Sequence, residues 1–217
     1  MFELISDISL YSELIPVIFY ILFHKRINDN VLRVIFLLLI GGIIFEIIGL
    51  YSSNKYNNNI FIWNFFTLIE TLLLTFFFHK IFENQLVKKI TLFLSGIFLA
   101  FWGFQQTKNG FQVFDETSLA IEQVFIIAFS IYYLFEQLKT PESTFVYTSP
   151  RFWVVIAYFI YMSATFFLFL FLKTFSNDEK SKYLILNSFF IIIKIILLSV
   201  AMFMRSKQPK TKKFHLS

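Results

Sequence analysis

Five ionisable side chains stand inside long apolar runs: Glu13, Glu46, Glu70, Glu122 and Lys194. They are where this chain could do chemistry. A charge at the centre of a bilayer costs ~2.5–3.5 kcal/mol on insertion scales, so such residues face a bundle interior or a wet cavity, and function is their default reading. Several carboxylates with one lysine can hold an ion, a proton or a polar ligand, and could do acid–base work. Their neighbours add to the pattern. Asn64, Thr67, Thr71 and Thr75 follow helical spacing and form a polar stripe with Glu70 at its edge. Asn187 precedes Lys194 by seven residues, two helical turns, and shares its face. Tyr158, Tyr161, Ser163 and Thr165 add hydroxyls at middle depth in the helix before it. The expected ligand- or ion-binding set is Glu70, Glu122, Lys194, Asn187, Asn64 and Thr67, with Glu70 and Lys194 as a mid-membrane couple. A blander reading stands beside it. Glu13 and Glu46 are near enough to an interface to reach water, a buried ion pair can simply specify packing, and Thr and Ser stripes commonly serve helix packing.

The elements that must position these residues are membrane helices. Of the 217 residues 57% are hydrophobic and 15% charged, against ~25% charged in soluble domains. A span needs about 20 mostly apolar residues, and seven segments meet or approach this: Ser9–Phe23, Val31–Tyr51, Ile60–His79, Ile90–Phe104, Thr117–Phe135, Phe152–Leu172 and Tyr183–Met204. The first and fourth are the shortest. The runs are continuous, without the alternation of barrel strands, and the short polar connections make neighbouring helices antiparallel. The fold class is therefore all-α, a polytopic transmembrane bundle of seven helices over 1–204, followed by a basic tail, 205–217. The opening MFELISDISL carries acids where a cleaved signal needs cations, so the first segment is expected to stay as a helix.

Orientation follows from Lys and Arg. Thirteen of the 19 lie in or beside the first, third and fifth connections and in the tail, and five in the other connections. This predicts the N-terminus outside, the C-terminus in the cytoplasm and a multi-pass protein of a bacterial inner membrane. All four acids then fall at mid-depth or in the outer half, which predicts a polar cavity open to the exterior with Lys194 at its floor. Gly41, Gly42 and Gly49, and Gly96 with Ala100, are expected to allow close helix approach. Trp63, Trp102 and Trp153 fall near helix ends, as in an aromatic belt.

Other chemistries are poorly served. The chain has no Cys, so thiol catalysis, disulfides and thiolate metal sites are absent. His24 and His79 are at basic helix ends and His215 is in the tail, away from the acids, so neither a metal site nor a Ser–His dyad forms at depth. There is no HExxH and no Gly-rich phosphate loop. The tail, with five cations, fits anionic lipid headgroups and no nucleic acid partner is expected.

Two resemblances bear on function. A lysine midway along a seventh helix resembles the retinal proteins, which would imply a Schiff base at Lys194 with Glu70 as counter-ion. The departures are large: Phe190 stands where the microbial members carry an acid, and the sixth segment has no proline. No cofactor is therefore expected. The stretches FFTLIETLLLTFFF, PRFWVVIAYFIYMSATFFLFLF and NSFFIIIKIILL resemble small seven-helix membrane proteins of Bacteroidota, a group associated with sensor-kinase genes. That resemblance implies a sensory or accessory role and no catalytic residue. The expected function is a non-enzymatic sensory or accessory membrane protein that binds a small ligand, lipid or ion and acts through a protein partner. The alternatives are a small proton-coupled or secondary transporter and an intramembrane lipid-modifying enzyme.

Overall fold

The computed structural model describes residues 8, 11–23, 29–139, 143–170, 174 and 177–204. Seven α-helices follow one another: α1 (Leu14–Phe23), α2 (Asn30–Tyr56), α3 (Ile60–Ile81), α4 (Gln85–Asn109), α5 (Glu116–Lys139), α6 (Pro150–Leu170) and α7 (Asn177–Phe203), with a 3₁₀ turn at Ser143–Thr148. Six of them, α2 to α7, are long and apolar enough to cross a membrane. The chain is an all-helical, multi-pass membrane protein. Helix α1 has ten residues, and helical residues Tyr11 and Ser12 precede it across the turn at Glu13. The basic tail, His24, Lys25, Arg26, Lys173 and His215 lie outside the described residues.

Polar residues at the junctions set the helix ends. The Asp29 carboxylate accepts from Val31 N–H at 2.9 Å and caps α2. Asn57, left-handed at φ 53°, ends α2, and Asn58 Oδ1 takes the Ile60 N–H at 2.9 Å to open α3. Asn84 caps α4 through Leu86 N–H at 2.9 Å, and Gly110 at φ +80° closes it. Pro150 takes the first position of α6, where its missing N–H costs nothing.

Helices α2, α4 and α7 run beyond the apolar segments read from sequence, α7 by six residues at its start and α4 at both ends. Lys, Gln and Glu are good helix formers, so the helix continues where hydrophobicity stops.

Helices α1, α2, α3, α5, α6 and α7 pack in that order as a ring, since α1 also lies against α7 and α3 against α5. Helix α4 sits outside, on α3 and more lightly on α5, and is the least buried span. Nothing comes within 4 Å of a Cβ placed at Gly96, so the expected close approach there is not made. α4 is instead tied by Trp102, buried rather than at a lipid interface, whose Nε1 donates to Asn64 O at 3.1 Å. The core proper fills the half of the ring nearer the basic connections. Leu32, Ile35, Leu38, Leu74, Phe77, Phe78, Phe129, Val155, Leu198 and Met202 are buried there in one cluster. On that face Arg151 Nε meets Asp29 Oδ2 at 2.7 Å, the one ion pair among the described residues.

Candidate functional site

In the other half of the ring the polar residues converge. Lys194 on α7 lies close enough to act electrostatically on Glu13, in the turn just before α1, and on Glu46 of α2, Glu70 of α3 and Glu122 of α5. Tyr158 and Tyr161 of α6 feel Glu13, Glu70 and Glu122. Charged or hydroxyl side chains from α2, α3, α5, α6 and α7, with Glu13 from the turn just before α1, thus act on one another in this half of the ring. Four carboxyls face one ammonium. Glu70 and Glu122 are buried, the latter with no exposed surface, and Glu13 and Glu46 are half-buried. Gly42 lies beside Glu13: a Cβ there would stand 3.6 Å from Glu13 Oε2, an ordinary contact.

The expected direct couple of Glu70 with Lys194 is not formed. Among the described residues no carboxylate oxygen comes within the 4.0 Å of an ion pair with Lys194. Lys194 Nζ instead lies 4.3 Å from the centre of the Tyr161 ring and 5.8 Å from that of Tyr158, within the ~6 Å over which a ring face attracts a cation. The Tyr161 hydroxyl donates to Asn187 Oδ1 at 3.4 Å, one long bond that brings Asn187 to the site. The two tyrosines are three residues apart on one helix, and their shared face was legible in sequence. That they seat the lysine depends on the register of α6 against α7.

Glu122 is the least satisfied group of the centre. Neither carboxylate oxygen has a hydrogen-bond partner. The Thr71 hydroxyl stands beside it but donates to Thr67 O at 2.7 Å. Gln123, a residue not singled out from sequence, donates from Nε2 to Thr165 Oγ1 at 3.0 Å while its buried Oε1 has no partner. Thr165 in turn donates to Tyr161 O at 2.8 Å. Thr67 also bonds within its own helix, to Trp63 O at 3.1 Å.

Asn64 stands apart from this centre. Its Nδ2 donates to Val113 O at 2.8 Å and Phe111 O at 3.2 Å, and its Oδ1 accepts from Asp115 N–H at 3.2 Å. Gln106 Nε2 donates to Asp115 Oδ2 at 3.2 Å, and Asp115 caps α5 through Ser118 N–H and hydroxyl. The side chain that the polar stripe placed in the binding set clamps the connection between α4 and α5. Among the described residues no three His, Asp or Glu converge as a metal site. His79 Nδ1 lies 3.2 Å from Lys88 O at the basic face.

No protein-family model, no curated protein and no solved structure matches the chain.

Proposed function

We propose that the chain is a non-enzymatic sensory or accessory protein that binds a small ligand or ion at the Glu70, Glu122 and Lys194 centre and acts through a protein partner. The observation that carries this is the division of the ring: Glu13, Glu46, Glu70, Glu122 and Lys194 act on one another in one half, and the other half is a close-packed apolar core. Among the described residues four carboxyls meet one cation, so the centre takes up positive charge as protons or as a ligand. The basic connections face the cytoplasm of a bacterial inner membrane, the N-terminus lies outside, and the ligand enters from outside. A ligand shared by several helices biases their packing, and a partner reads the change. The apolar half favours a receptor over the transporter reading, because a carrier must open a polar path through it. Lipid-modifying chemistry would need an acid–base pair aimed at a scissile bond, and the carboxyls instead surround a cation.

The absence of Cys makes the test free of background. In Glu46→Cys and Leu38→Cys variants in intact cells, a membrane-impermeant maleimide labels the first from outside and leaves the second untouched. Failure to label Glu46→Cys from outside, with the variant inserted at normal levels, overturns the outward-facing site.

A further inference from the structure

The centre already holds an ammonium group, and the way it does so identifies a ligand class. Lys194 Nζ is seated on the faces of Tyr161 and Tyr158 with no carboxylate oxygen of the described residues within 4.0 Å. A ring face attracts an ammonium group electrostatically, and the N–H donors of a primary ammonium are free at the same time to reach carboxyls around it. The seat is overbuilt for one lysine. Glu122 keeps two carboxylate oxygens with no partner although it has no exposed surface, and a buried acceptor left without a donor is unfavourable. A ligand N–H donor would meet that need, and Lys194 does not. A hard metal ion would not use the rings, and among the described residues three carboxylate or imidazole ligands do not converge for one.

From the seating of Lys194 and the unpartnered Glu122 oxygens we infer that the centre binds a small organic amine as its ammonium ion, and that Lys194 is the tethered competitor for the same seat. This rests on the ligand-binding reading above and names its ligand. The amine takes the faces of Tyr158 and Tyr161 and donates to the carboxyls. Lys194 is displaced from α6, which gives the α6–α7 contact two arrangements, with and without ligand. A tethered group acts at an effective concentration in the millimolar range, so Lys194 lowers the apparent affinity for free amine.

The test is a titration of the full chain in lipid nanodiscs with n-butylammonium, against n-butanol as a neutral control of the same shape. Binding is read by calorimetry and by thermal stability. Lys194→Ala is expected to bind n-butylammonium at least ~10-fold more tightly than the wild type and to ignore butanol. Tyr161→Phe keeps the ring and loses the bond to Asn187, and is expected to bind more tightly than Tyr161→Leu. Tyr161→Leu loses the ring and binds at least ~5-fold more weakly. Equal affinity of Lys194→Ala and wild type removes Lys194 as competitor, and absence of saturable amine binding in both removes the ligand class. Should Lys194→Ala not fold, the contrast between Tyr161→Phe and Tyr161→Leu decides alone: equal binding by the two overturns the proposal. If Glu46→Cys is labelled from outside while amines do not bind, the open site stands and only the ligand class falls.

Discussion

Two buried polar constellations share helix α3, and they are built in opposite ways. Around Asn64 every strong donor meets an acceptor: the amide takes the carbonyls of the α4–α5 connection, Gln106 and Ser118 close on Asp115, and Trp102 covers the Asn64 carbonyl. Phe65 stacks on Phe111 at 5.7 Å and shields the group. About two turns along, around Glu122, oxygens are buried without partners and a lysine rests on rings rather than on carboxylates. A fully satisfied network rigidifies what it touches. An unsatisfied one is retained where something else is to complete it. Depth in the membrane is the same signal for both, and only the partners tell a clamp from a site.

The comparison predicts a large effect of Asn64→Ala. The substitution removes three side-chain bonds to the connection and leaves the carbonyls of Phe111 and Val113 and the N–H of Asp115 without them. A loss of about 3 kcal/mol is expected, measured as equilibrium unfolding in mixed micelles, with amine binding by the folded fraction unchanged. A loss below about 1 kcal/mol would show that the connection is held by its aromatic packing alone.

Why the sequence separates these two groups poorly is a matter of helix order. The seven apolar segments and the five intramembrane charges are visible in one dimension, because hydrocarbon demands length and excludes charge. Asn64 and Thr67 follow the same helical spacing as Thr71, so periodicity assigns them one role. Their separation comes from where the α4–α5 connection returns, and that requires knowing that α4 lies outside the ring. Its polar ends, with Lys88, Lys89 and Gln106, hid ten residues of α4 from a hydropathy reading, since propensity and capping by Asn84 carry the helix past the apolar run. Tyr161 was legible as a hydroxyl. Its role as a ring under Lys194 was not, because facing positions on α6 and α7 have no signature in either helix alone.

A third polar pair extends the comparison to the basic face. Asp29 is satisfied twice, by Val31 N–H and by Arg151. Asp29→Asn keeps an N-cap and drops the ion pair, whose arginine is 39% exposed. A cost of about 1 kcal/mol is expected, shrinking as salt is raised from low to molar concentration. An effect as large as that of Asn64→Ala would mean that the pair anchors α6 to the α1–α2 connection more firmly than its exposure indicates.

The smallest effect belongs to the most buried acid. Glu122→Gln preserves shape, removes a carboxyl that accepts no hydrogen bond in the structure, and adds a donor beside Thr71 and Glu70. Its stability is expected to stay within about 1 kcal/mol of the wild type, on the side of stabilisation, while n-butylammonium binding weakens. Stability and binding therefore part company at Glu122 and also at Asn64, in opposite senses. A destabilisation by Glu122→Gln comparable to that of Asn64→Ala would mean that the carboxyl is already a completed structural group. The two constellations on α3 would then differ in degree and not in kind.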